Sequence, residues 1–291
     1  MLEGFKEFME NELRLSENSI NSYYSDVKLY EKYYKESYAE ELKELVYADV
    51  KMYKQYLLNK STSPKTINRK LTSLRTYNEF LIQEKLQTEM VIKDRDFIKI
   101  QKTKLNNNII SVQDVNKIKH YAAKDIKASK RDFCFISILC YGGLRASEIT
   151  NIKIGDIRLN ERELYIVGKG EKFRTVVINN IMYFAIKDYL EERQQMNTKN
   201  PYLFVSQKSI NTKKPVNRNF CNRLLNKYKN ICKLNELHPH LLRHFYGTNA
   251  LHNAGYTIEQ VASQMGHSDI NTTKQYLDTE KEDMMALANK L

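Results

Sequence analysis

Residues 163–178 are the one stretch of this chain that reads confidently as a pair of β-strands, and that scarcity constrains the fold more than any other feature. Two β-rich runs, LYIV and FRTVVI, flank Gly168, Lys169, Gly170, Glu171 and Lys172, a turn that only flexible residues allow. The turn holds Lys169 on an exposed tip between two glycines. With nine glycines and four prolines in 291 residues, the remainder is dominated by apolar side chains at helical spacing. The expected fold is mainly α with a small antiparallel β-hairpin or sheet, in two domains.

The first hundred residues read as about four helices. Leu2, Phe5, Phe8, Met9 and Leu13 mark the first; Ser16 or Asn18 caps a second, striped by Ile20, Tyr23, Tyr24, Val27, Leu29 and Tyr30. A third covers roughly residues 47–58, with Asp49 at its positive end. Ser63 and Pro64 then start a fourth, on Ile67, Leu71, Leu74, Tyr77 and Leu81. Residues 101–108 form a polar, basic, Asn-rich linker. A second domain, residues 109–291, opens on a capping-box-like Ser111 and Asp114. A helix over about 129–140 stops at Gly142 and Gly143, where the paired glycines let the backbone approach a ligand closely. Further helices are expected over 181–195, over 218–233 with Phe220, Leu224, Leu225, Tyr228 and Ile231 facing inward, from Pro239 to Gly255, and from Thr257 to Gly266.

A net charge of +12 favours a polyanionic partner, with nucleic acid or an anionic membrane surface as the leading candidates. Residues 1–100 carry 17 Lys+Arg and 17 Asp+Glu; residues 101–291 carry 30 and 18 and hold the whole surplus. Within the first domain, residues 50–75 hold seven basic side chains and no acidic one. There Lys65, Arg69, Lys70 and Arg75, interleaved with Ser63, Thr66, Thr72 and Thr76, suit a phosphate backbone. Lys172, Arg174, Lys213 and Lys214 extend the candidate DNA-binding set. No apolar run reaches the length of a membrane span, and the acidic start of the chain does not read as a signal peptide. Cys134, Cys140, Cys221 and Cys232 lack the spacing of a metal site or disulfide framework, which fits a reducing, cytoplasmic setting.

Residues 238–276 concentrate groups suited to phosphate chemistry: His240, Arg243, His244, His267 and, last, Tyr276. A phenol can attack phosphorus if cationic and hydrogen-donating groups accept the developing charge. His240 and His244 stand four apart, as zinc pairs do, but no acidic residue lies between them and the cysteines are elsewhere. Neither a metal nor a cofactor is expected.

Three boxes in order, GGLRASE at 142–148, HLLRH at 240–244 and MGHSDINTTKQY at 265–276, resemble those of the tyrosine recombinases, the phage-integrase family that includes the Xer resolvases. The Gly-Lys-Gly hairpin lies between the first two, where that family carries a lysine. The resemblance covers residues 109–291 and extends to the first hundred, which resemble the family's helical SAM-like core-binding domain. It implies a C-shaped clamp on duplex DNA.

The roles that the resemblance implies are chemically sensible. Tyr276 would be the nucleophile, forming a 3′-phosphotyrosyl link. Arg145 and Arg243 would grip non-bridging oxygens, which a guanidinium fork fits bidentately. Lys169 would protonate the departing 5′-oxygen, His240 would assist proton transfer near the phenol, and His267 would donate to a phosphate oxygen. Glu148 would orient its neighbours. The family suggests a recombinase that exchanges strands through a Holliday junction in a tetrameric synapse. Docking of the amphipathic tail, residues 284–291, would join the subunits; accessory DNA-bending proteins are conceivable partners, and the setting would be the cytoplasm, at the nucleoid. Rival readings are a type IB topoisomerase-like nicking-closing enzyme and a DNA-binding regulator without catalysis.

Overall fold

The computed structural model describes residues 1–100, 110–124, 130–168, 173–267 and 271–274. The chain divides into two compact units, Met1–Leu105 and Asn106–Leu291.

The first unit contains α1 (Leu2–Asn11), α2 (Glu17–Tyr38), α3 (Tyr47–Asn59) and α4 (Pro64–Gln83). Ser16 caps α2 by accepting from the Ser19 N–H, and Ser63 caps α4 by accepting from Thr66, with Pro64 in the first turn, where its missing N–H costs nothing. Helix α4 is the central element: Ile67, Leu71, Leu74, Tyr77, Phe80 and Leu81 are buried against Phe5, Met9, Val27, Tyr30 and Leu57. After α4 the chain runs extended, and three carboxamides hold it. Asn78 donates to Glu89 O and accepts from Val91 N, Asn68 pairs likewise with both backbone groups of Ile98, and Gln87 pairs with both of Leu45. These side chains satisfy backbone groups that would otherwise need a sheet.

The basic side of α4 differs from its expected form. Asp26 on α2 is 3% exposed and takes hydrogen bonds from Arg69, Lys70 and Ser73, while Thr76 is also buried. Lys70 is therefore withdrawn from solvent, because an unpaired buried carboxylate would be costly.

The second unit is organised around α6 (Lys130–Gly142), whose residues 134–140 are all buried. It packs against α5 (Val112–Lys124), α8 (Asn180–Gln195) and α10 (Pro239–His252). Around these lie α7 (Ala146–Thr150), α9 (Arg218–Cys232), α11 (Ile258–Met265) and α12 (Asn271–Lys274). On α9 the inner face includes Cys221 and Cys232 but not Ile231, which is 41% exposed.

The sheet has three antiparallel strands, β1 (Ile157–Arg158), β2 (Glu163–Val167) and β3 (Phe173–Val177), in sequence order. The register Leu164↔Val176 and Ile166↔Arg174 turns Leu164, Ile166 and Val176 inward. Two residues of β1 are too few to show a period, so the hairpin alone is visible in the sequence. Leu203, Phe204 and Val205 are buried without forming a named strand. Among the described residues, no helix is long and apolar enough to cross a membrane.

Candidate active site

The site begins where α6 ends. Gly143 has φ +61°, a conformation that side-chain-bearing residues rarely adopt. A Cβ there would stand 2.5 Å from the Tyr246 ring. The turn delivers Arg145 to the N-terminus of α7, where the Glu148 carboxylate accepts the Arg145 backbone N–H at 2.8 Å and its Nη1 at 2.9 Å. Glu148 is only 6% exposed.

Arg174, from β3, forms a fork on the same carboxylate, Nη2 to Oε2 at 2.8 Å and Nη1 to Oε1 at 3.1 Å. Arg243, on α10, brings Nη1 to 3.9 Å from Glu148 Oε2 and donates to Gly143 O and to Met265 O. Burial alone would raise the Glu148 pKa; the hydrogen bonds from the Arg174 side chain and the Arg145 backbone outweigh it and hold the carboxyl below its usual value. Glu148 is thus an anion among three guanidiniums, and the cluster keeps a positive surplus.

The end of α11 supplies the other half. Thr257 and Gln260 form its capping box, and Gly266, at φ +66°, ends it. His267 N bonds Ala262 O and Gly266 N bonds Ser263 O, the pattern of a Schellman closure. The next three carbonyls each meet a different arginine: Gln264 O accepts from Arg174 Nε at 2.9 Å, Met265 O from Arg243 Nη2 at 2.9 Å, and Gly266 O from Arg145 Nη2 at 3.4 Å. A helix C-terminus carries negative partial charge and unsatisfied carbonyls, so it is a natural seat for cations. The sequence reading missed this use of α11; the glycine directly before His267 was the available signal.

His267 follows at once. Its Nδ1 lies 2.7 Å from the Thr273 hydroxyl on α12. Burial first, then Arg243, Arg145 and Arg174, push its pKa down to about 4. The imidazole is therefore neutral at pH 7; in the tautomer whose Nδ1 accepts from Thr273, Nε2 carries the proton and is a donor suited to a phosphate oxygen. His240 is exposed on α10, one turn before the buried Arg243. His238 caps α10, its Nδ1 accepting from Leu241 N. His244 is half-buried, its pKa lowered by burial and by His240. Among the described residues, no three His, Cys, Asp or Glu side chains gather as a metal-ligand set.

The structure thus brings together Arg145, Glu148, Arg243 and His267, with Arg174 added. Lys169, Lys172 and Tyr276 lie outside the described residues, as do residues 101–108 and 284–291. Of the expected DNA contacts, Lys65, Lys213 and Lys214 are exposed. Arg69 and Lys70 are engaged by Asp26, and Arg75 by Asp94 at 2.7 Å. Arg174, expected to face DNA, is instead directed inward, its side chain 11% exposed, because Glu148 and Gln264 O take up its fork.

The sequence model of the phage integrase family matches residues 108–283, and that of the phage integrase N-terminal SAM-like domain matches residues 2–85. The chain belongs to the phage integrase family. This family member is 36% identical to the TnP I resolvase of Bacillus thuringiensis, over 99% of this chain and 97% of that one. It is 32% identical to the tyrosine recombinase XerD of Rickettsia bellii, over 94% and 92% respectively. Its fold resembles that of the Tn1549 transposon integrase in complex with circular intermediate DNA, with a TM-score of 0.75 at 18% identity, covering 99% and 98% of the two chains. It also resembles that of the XerH site-specific recombinase bound to a palindromic difH substrate, with a TM-score of 0.74 at 21% identity, covering 92% and 78%. This phage integrase family member is an Xer-like tyrosine recombinase, and its function is site-specific recombination.

Proposed function

We propose that the chain cuts and rejoins DNA at specific recombination sites through a 3′-phosphotyrosyl intermediate, with Tyr276 as nucleophile. The Tyr276 oxygen bonds to phosphorus as the bond from phosphorus to the 5′-oxygen breaks. The phenolic proton passes toward His240, and the departing 5′-oxygen takes a proton from Lys169. Arg145, Arg243 and His267 hold the non-bridging oxygens, most strongly in the pentacoordinate transition state. Religation is the same step reversed with a new 5′-hydroxyl, so two rounds pass through a Holliday junction without ATP. The observation that carries this reading is the positive surplus of three guanidiniums gathered around Glu148 and the end of α11, beside the neutral His267.

Duplex DNA is the proposed partner, with Lys65, Arg69, Arg75, Lys172, Lys213 and Lys214 contacting the backbone, and the nucleoid is the proposed setting. Four copies would form the synapse, joined by residues 284–291 and aided where required by DNA-bending proteins. Likeness along the whole chain to a protein named a resolvase favours a resolution role.

The test uses nicked duplexes tiled across the DNA flanking the gene, in which the cut strand end diffuses away. A covalent protein–DNA adduct should form on a subset of them and disappear in Tyr276→Phe. Absence of any adduct supports a silent DNA-binding protein, and relaxation without recombination between two sites supports a nicking-closing enzyme. Deletion of residues 284–291 should spare binding to one site and weaken assembly on two.

A further inference from the structure

We propose that Arg174 is a positioning residue of the recombination site: its guanidinium, clamped between the Glu148 carboxylate and the Gln264 carbonyl, ties strand β3 to the group that orients Arg145. The inference rests on the recombinase reading and assigns Arg174 an inward role in place of a DNA contact.

Three observations converge on it. Arg174 reaches both Glu148 oxygens and, through Nε, the carbonyl of Gln264, so three donors span two elements. Gln264 also returns to the strand, its Oε1 accepting from Val177 N at 3.2 Å, so β3 and α11 are joined at two points. Room for Arg174 depends on Gly266: a Cβ there would stand 2.8 Å from Nη1 and 3.0 Å from Cζ.

The consequence for chemistry follows from what else these partners hold. Glu148 bonds the Arg145 backbone and side chain, and the carbonyls after Gln264 accept from Arg243 and Arg145. Lys169 precedes Arg174 by five positions in the sequence. Fixing β3 therefore fixes, relative to both arginines, the strand that begins four positions after Lys169 in the sequence. A lysine at 174 supplies the charge but no planar fork, so it cannot span both partners. Among the described residues, the ionisable groups facing Glu148 are Arg145 from α7's start, Arg174 from β3, Arg243 from α10 and His267 after α11. Loss of Arg174 removes the hydrogen bonds that most oppose the effect of burial on Glu148, so its carboxyl takes a proton at higher pH.

The test compares wild type, Arg174→Lys, Arg174→Gln, Glu148→Gln and the double variant Arg174→Gln/Glu148→Gln. One arm needs no DNA: melting temperature against pH. Arg174→Gln should be less stable than wild type near neutral pH and should lose less of its stability as the pH falls through the carboxylate range, and in the Glu148→Gln background that difference in pH response should disappear. The other arm is single-turnover adduct formation against pH on a flanking-DNA duplex that wild type cleaves. Misplacement by about 1 Å costs on the order of a hundredfold, so Arg174→Gln should cleave at least roughly tenfold more slowly, with its acid limb moved up. Arg174→Lys should recover only part of the rate, and the double variant should be little slower than Arg174→Gln. If Arg174→Gln does not fold, Arg174→Lys carries both arms. A pH response equal to that of wild type in both arms, or additive losses, overturns the inference. If wild type forms no adduct, the recombinase reading fails, while the melting arm still decides whether Arg174 holds Glu148 as an anion.

Discussion

Asp26 in the first unit and Glu148 in the second are each buried among cations, and the two acids serve different ends. Asp26 takes Arg69, Lys70 and Ser73, all from one face of α4, and so staples α2 to its neighbour. Glu148 takes Arg145, Arg174 and the edge of Arg243 from three separate elements, and those arginines continue onto the carbonyls that end α11. At Asp26 the cations serve the acid. At Glu148 the acid serves the cations, gathering three guanidiniums from three separate elements where Asp26 holds two cations from one helix. What marks the Glu148 cluster as a candidate site is this convergence of arginines beside His267.

The sharpest way to break the contrast is Asp26→Ala, which strands Lys70 in the interior. It should destabilise the first unit by roughly 3–5 kcal/mol in urea unfolding, while the folded fraction keeps its rate of adduct formation. Arg243→Lys should do the opposite. Its ammonium cannot reach both Gly143 O and Met265 O, so cleavage should fall roughly a hundredfold to a thousandfold, and single-site DNA binding in a gel-shift titration should change far less. Gly143→Ala tests whether the turn beneath Arg243 tolerates a side chain. The left-handed backbone and the clash with Tyr246 should cost about 2 kcal/mol or more, read as a lower melting temperature. The remaining test is the acid response. His267 titrates near 4 in the fold against about 6.5 unfolded, so the unfolded chain takes up its proton first. Stability should decline as pH falls from about 6.5 to about 4 and level off below for this group. Glu148, held below its ordinary value, adds a further loss as pH falls through its folded value. His267→Gln should flatten the first part of that slope in a pH series of thermal melts.

The helices and the hairpin were readable because their signals are local: Ser63 with Pro64, Thr257 with Gln260, and the glycines after each run all act within a few residues. The arginine boxes were readable for the same reason. What escaped depends on partners far off in the chain. Lys70 looked like a DNA contact because Asp26 lies 44 positions away, and Arg174 did so because Glu148 lies 26 away. Ile231 was placed inward on periodicity alone, yet Cys221 and Cys232 share the face that is buried. The extended segment held by Asn68, Asn78 and Gln87 has no period to detect.

The long-range closure of the arginine cluster bears on when the candidate site can exist. Arg145 reaches Gly266 across 121 positions and Arg243 reaches Gly143 across 100. A partly unfolded chain therefore lacks this gathering of guanidiniums, whatever else of the sequence it holds. The cluster arrives only when residues as far apart as Gly143 and Gly266 have been brought together, so folding itself gates the candidate site.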